Sequence, residues 1–276
     1  MLKKISIFLL IFGFLYALDT GASQVTLKSG KTFDVSKGYE AILVVSGPFT
    51  YEASSVLNVS KAENVKEVLV VWSGKTKKGH LVERIRLQNG DYKTEIPALR
   101  KYIYEEGESL IYTAYGKMDL EDLKAGLEAA SSNAEAHAFF GHTFIVVRED
   151  SRLRGNETVR GNDVKTIGVY VGLQNLRPGD MYHIQLPIQA KGILRKATVM
   201  GGGGLEGNGS SNMVNGVALS GGDDWNGSSG PKWDLDTYED LEKYKFRVNE
   251  KLTWSIDPLL QWVFPAMFIL EVKEVR

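Results

Sequence analysis

KEVLVVWSGK (residues 66–75) and AFFGHTFIVVRED (138–150) decide the fold, because each has a counterpart further along the chain. LRKATVMGGGG (194–204) matches the first in pattern and VFPAMFILEVKE (263–274) the second. Between the outer segments lie RIRLQNGDY (84–92) and MDLEDLK (118–124) in the first half, and NGVALSGGDDW (215–225) and WDLDTYEDLEK (233–243) in the second. The order is the same twice: an apolar run into Gly, a turn-bearing strand, an acidic-leucine turn, then an aromatic-rich strand ending in charges. Internal repetition sets the fold, so it is weighed before any single element.

The repeated units are strand-rich. YEAILVVSG (39–47) and VKEVLVVWSG (65–74) are short apolar runs ended by Gly. Asn89-Gly90 is a two-residue hairpin signal, since both residues tolerate positive φ. In MYHIQLPIQ (181–189), Tyr182, Ile184, Leu186 and Ile188 alternate with polar residues, and Pro187 places the strand at an edge or a bulge. Phe268, Leu270 and Val272 make the tail a closing core strand. Leu120, Leu123 and Leu127 predict one short helix within 118–136. Thr237 and Asp240 have capping-box spacing for a helical turn over 236–244. The expectation is an all-β protein: two tandem antiparallel β-sandwich, jelly-roll-like domains with one short helix. Residues 1–23 read as a signal peptide, 24–150 as the first sandwich, 151–163 as a charged connector and 164–276 as the second sandwich.

Composition fits that class. The chain has 276 residues, of which 43% are hydrophobic and 24% charged, enough for a real core. The formal net charge of -1 argues against nucleic acid as a partner. Lys3 and Lys4 precede the apolar run Ile5 to Leu18 and the small residues Ala17, Gly21, Ala22 and Ser23, an export pattern. The membrane is then met only through this signal, and the destination is secretion or the cell surface. The absence of cysteine excludes disulfides, thiolate metal sites and Cys nucleophiles. Sequons at Asn58, Asn156, Asn208 and Asn226 make these the candidate glycosylation sites.

GGDDWNGSSGPKWDLDTYEDLEKY (221–244) carries the candidate binding residues. Asp223, Asp224, Asp234 and Asp236 are candidate calcium ligands, because calcium takes six to eight oxygens from clustered carboxylates. No EF-hand register fits: Trp225 and Tyr238 fall on ligand places. The alternative is a polar loop whose Asp side chains satisfy turn amides. Trp225 and Trp233 are candidate sugar-stacking rings or, alternatively, covers for the end of the core. Trp72, Trp254 and Trp262 read as core. Gly201 to Gly204 lack the Lys-Ser/Thr and following helix of a phosphate cradle and read as a long loop. HExxH and GxSxG are absent, and His80, His137, His142 and His183 form no metal spacing.

FFGHTFIVVRED with its charged end, and WDLDTYEDLEKY followed by LTWSI and WVFPAMFILEVKE, resemble exported archaeal and bacterial cell-surface proteins of unknown function with paired β-sandwich modules. The resemblance spans residues 65–276, implies a cell-surface role and carries over no catalytic residue. The expected function is therefore a non-enzymatic structural or adhesive protein whose partners are itself or other surface proteins. Strand pairing through QVTLKSGKTFDV (24–35), within or between chains, is its expected means of contact. The alternative is a carbohydrate-binding module, with glycans as partner and calcium as the one candidate cofactor. A polysaccharide-cleaving enzyme with Asp or Glu as acid and base is a third reading.

Overall fold

A computed structural model describes residues 23–26, 30–34, 39–46, 55–56, 65–79, 83–89, 91–120, 122, 128–129, 138–149, 165–173, 175–204, 206–227 and 233–274. The expected signal peptide up to residue 22, the expected connector 151–163, Asn58 and Asn156 lie outside these. Two short strands, β1 (Ser23–Thr26) and β2 (Gly30–Asp34), come first. Nine follow: β3 (Tyr39–Ser46), β4 (Ser55–Val56), β5 (Val65–Lys77), β6 (Arg84–Asn89), β7 (Tyr92–Pro97), β8 (Arg100–Glu106), β9 (Ser109–Met118), β10 (Glu128–Ala129) and β11 (Ala138–Glu149). The second half gives β12 (Lys165–Val171), β13 (Tyr182–Gly203), β14 (Ser211–Val214), β15 (Val217–Ala218), β16 (Trp233–Tyr238), β17 (Arg247–Asp257) and β18 (Val263–Glu274).

Strand order identifies the architecture. One sheet of the first half runs β3-β11-β5-β9-β8 and the other β4-β10-β6-β7. Leaving out β8, the eight strands in chain order pair as first-eighth-third-sixth and second-seventh-fourth-fifth. The second half repeats this once β13 is counted as two strands: its end part gives β12-β18-β13-β16 and its start gives β13-β17-β14-β15. That is the eight-stranded jelly roll, twice. All pairs among these strands are antiparallel; β1 alone adds in parallel, on Tyr182–Gln185.

The sequence repeat maps onto equivalent places, down to its irregularities. β5 pairs with β11 as β13 pairs with β18. In the first roll the ladder skips a residue of the closing strand between Phe139 and Gly141, and in the second between Pro265 and Met267. At its other end each ladder skips a residue of the opening strand, between Val65 and Glu67 and between Leu194 and Lys196. Bulges of this kind add local twist and re-aim side chains. Pro187 lies at a further bulge of β13, against β17, within the longest strand of the fold.

Period-2 alternation fills three layers of core. On β5, β9 and β11 the residues Val68, Val70, Trp72, Tyr112, Phe144 and Val146 are buried on one face, over which Ile85 and Ile96 of β6 and β7 are also buried. Ile96 lies so close to Gly116 that a Cβ there would stand 2.6 Å from its Cγ2. The opposite face offers Leu69, Val71, Ile111 and Ile145, which pack with Val169, Val171, Met200, Trp233 and Met267 of the second roll. The two rolls are thus joined by a buried apolar seam. Inside the second roll, Tyr170, Ile184, Leu186, Val199, Trp254, Phe268 and Leu270 belong to one cluster.

Five local expectations are corrected. Asn89 pairs with Tyr92, so the hairpin turns one residue later than Asn89-Gly90 suggests. The amphipathic spacing over 118–136 does not carry one helix through: Leu120 and Asp122 are helical, but Glu128–Ala129 form β10, the strand needed between β4 and β6. Gly201 to Gly203 are paired strand rather than loop, and a Cβ at Gly201 would overlap the Phe264 carbonyl. The helical turn starts late, at Leu241–Tyr244, because Thr237 lies within β16 and Asp240 sits at φ 54 with no capping bond from its side chain. Finally, β1 and β2 join the second roll, on β13 and β12, although the first roll follows them in the chain. An open strand edge accepts any strand of the right length, whatever its place in sequence.

Candidate functional site: a buried carboxylate network

The acidic stretch does converge, but inward. On β16 the side chains of Asp234, Asp236 and Tyr238 share one face by period 2, while Trp233 and Leu235 turn to the seam between the rolls. Asn212 of β14 is the hub. Its backbone N–H donates to Asp224 Oδ2 at 2.5 Å and its side-chain nitrogen donates to Tyr238 Oη at 2.8 Å and Asp236 Oδ2 at 3.3 Å. Its side-chain oxygen accepts from both indoles, Trp254 Nε1 at 2.9 Å and Trp225 Nε1 at 3.2 Å. Ser210 and Gln261 close the network: Gln261 Nε2 donates to Ser210 Oγ and to the Trp225 carbonyl, both at 2.8 Å.

Burial and the repulsion of neighbouring carboxylates both favour the neutral form of an acid. Burial, then the charges of Asp234 and Asp224, hold the Asp236 carboxyl well above the usual carboxylate range. Burial, with Asp236 and Asp224 beside it, likewise pushes the Tyr238 phenol up, so it remains a donor. The network therefore keeps at least one proton on its acids across neutral pH. A second buried titrating group lies in the first roll. His142 is fully enclosed, edge-on to Phe144 at 5.5 Å between centroids, and burial lowers its pKa to about 3.

The candidate ligands separate. Asp223 points the other way from Asp224 and accepts from the amides of Gly207 (3.0 Å) and Gly209 (3.3 Å), as turn chemistry favours. Asp224, Asp234 and Asp236 are taken up within the roll, so the four do not form one calcium ligand set. Among the described residues no three His, Cys, Asp or Glu side chains are grouped to hold a metal ion. Trp225 and Trp233 are fully buried and offer no face to a sugar; they cover core, the alternative reading of the sequence. Trp72 and Trp254 are core as expected, but Trp262 is 43% exposed beneath the Arg177 guanidinium. Of the sequons in view, Asn208 and Asn226 are half-buried, and Asn226 Nδ2 donates to the Asp223 carbonyl at 2.9 Å. Sequence reasoning missed Asn212 and Tyr238, which no motif marks. No helix among the described residues is long and apolar enough to cross a membrane.

The strands and this network define a double jelly roll with a polar, internally bonded end. No family model and no curated protein matches the chain. Among solved structures, a chain from "Life in the extremes: atomic structure of Sulfolobus Turreted Icosahedral Virus" is similar, with a TM-score of 0.25 and 9% identity over 88% of this chain and 90% of that chain. At that TM-score the likeness adds nothing to the topology read from the strands themselves.

Proposed function

We propose that the chain is a non-enzymatic building block that works by associating with copies of itself, placed outside the cell by the export pattern of its first residues. Jelly rolls serve as coat-forming units, as lectins and as cupins. A lectin reading needs a presented ring or polar rim, and the two tryptophans chosen for it are enclosed. A cupin reading needs ligands converging on an open interior. The observation that carries the proposal is how the second roll uses its polar groups: the Asn212 network bonds them to one another, which serves rigidity rather than turnover. Sheet edges that are unpaired among the described residues supply the means of association. Residues 24–26 and 30–34 pair within the chain, on β13 and β12, which is the within-chain arm of the expectation for 24–35.

Sedimentation velocity over a wide concentration range, with negative-stain microscopy of the concentrated protein, tests this. The expected result is a concentration-dependent shift from monomer to a defined assembly of copies. A single monomeric species at every concentration would overturn it.

A further inference from the structure

We propose that β8 is the self-pairing strand, and that two copies of the chain join their five-stranded sheets by antiparallel β8–β8 addition centred on Ile103. This rests on the self-association reading and names its surface. β8 ends the order β3-β11-β5-β9-β8, so among the described residues it is paired on its β9 side only. In an antiparallel ladder, half of a strand's N–H and C=O groups face each side, and those on an open edge template another strand.

The sequence of β8 says which strand it accepts. It reads Arg100-Lys101-Tyr102-Ile103-Tyr104-Glu105-Glu106. Laid antiparallel on a copy of itself about Ile103, it sets Arg100 opposite Glu106, Lys101 opposite Glu105 and Tyr102 opposite Tyr104. Every charge meets its opposite and the aromatic residues meet each other, the cross-strand pairs that favour a sheet. Residues that face each other have the same parity, so each pair lies on one face. Parallel, in-register pairing would put Lys against Lys and Glu against Glu. The pattern therefore selects the two-fold arrangement, which closes at a dimer of sheets instead of growing into a fibre.

Exposure agrees. Ile103 is 48% exposed and Leu99, just before the strand, 61%. The charges have partners within the chain: Lys101 pairs with Glu83 at 2.5 Å, Glu105 with Lys78 at 2.8 Å, and Glu106 with Lys75. These are exposed pairs of little strength, able to be shared with an incoming strand. Among the edge strands whose side chains are described, β15 also carries an exposed large apolar residue, Val217 at 43%, but it has two residues and no charge to set a register.

Because the chain has no cysteine, one introduced thiol reports one contact. Directly opposed residues in an antiparallel pair have Cα atoms about 4.5–5.5 Å apart, within the reach of a disulfide. Under mild oxidation the full-length Ile103→Cys chain is expected to form a covalent dimer, well above the yield of the similarly exposed Val217→Cys control. Lys101→Glu and Glu105→Lys, each checked for an unchanged fold by circular dichroism, should each weaken association in light scattering by about tenfold, because each sets two like-charge pairs across the two-fold. Combining them restores opposite signs and should return the wild-type association constant. If the wild type associates but Ile103→Cys dimerises no better than Val217→Cys and the charge variants leave the mass unchanged, β8 pairing is overturned and self-association stands. A wild type that stays monomeric, with no cross-link, overturns both.

Discussion

The Trp233 indole occupies the space that a side chain at Gly141 would fill: a Cβ built on Gly141 falls against its ring atoms. The two residues belong to different rolls, Gly141 to the closing strand of the first and Trp233 to β16 of the second. Gly141 also stands at the bulge that follows Phe139. The missing side chain and the local bend together let the ring enter the seam between the sheets.

Gly141→Ala should therefore destabilise the protein although alanine suits a strand as well as glycine does. Overpacking a filled core typically costs about 1–3 kcal/mol. Trp233→Leu removes the obstructing ring, so Gly141→Ala should cost markedly less in that background. Urea denaturation of the two single variants and the double checks the coupling. Additive effects would mean that the two residues do not meet.

Alkaline pH should weaken the second roll. Asp236 keeps its proton in the folded chain above the pH, about 3.9, at which an unfolded aspartate loses it. Its contribution is full below that value and is lost as pH rises towards the folded pKa, at up to about 1.4 kcal/mol per pH unit. Asp236→Asn mimics the protonated acid and can still accept from Asn212. Melting temperatures measured from pH 6.5 to 8 should fall less steeply for the variant than for the wild type. Parallel curves would show that Asp236 does not titrate between the two states.

How much of this was legible in the sequence depends on whether a signal was local. β3, β5 and β18 announce themselves as apolar runs, and the repeat of KEVLVVWSGK and LRKATVMGGGG marks two strands with the same place in their rolls. Asp234 and Asp236 were harder. Burying an ionised carboxylate is costly, so acids on a strand read as outward; here a retained proton and the Asn212 hub remove the cost, and neither leaves a mark in sequence. Trp262 misled in the opposite sense. It stands in the apolar run LLQWVF, yet it lies in the turn before β18, where its ring meets Arg177 rather than core. The attachment of β1 and β2 to the second roll is a long-range pairing with no local signature.

Fluorescence should separate the tryptophans accordingly. Trp72, Trp225, Trp233 and Trp254 are fully enclosed and Trp262 is not. Iodide, which does not enter a packed core, should quench only a minor fraction of the emission, and Trp262→Phe should abolish that fraction. Strong quenching that survives the substitution would mean that Trp225 or Trp233 is accessible after all, and would revive a sugar-stacking role for them.

Acid should weaken the first roll through His142. The folded imidazole takes up its proton only near pH 3, whereas an unfolded histidine does so near 6.5. Its contribution is full above about 6.5 and is lost as pH falls from there towards 3, the reverse of Asp236. Between about pH 4 and 6.5 the two slopes oppose each other, so the wild type should be most stable and least pH-sensitive in that range. His142→Phe keeps an aromatic ring against Phe144 and cannot be charged. It should leave the decline above pH 6.5 untouched while removing the His142 slope below it, so that its stability keeps rising as pH falls from 6.5 to 4. Melting temperatures of the wild type and this variant across pH 3 to 8 decide the matter. An acid-side curve unchanged by the substitution would place the acid sensitivity elsewhere than at this ring.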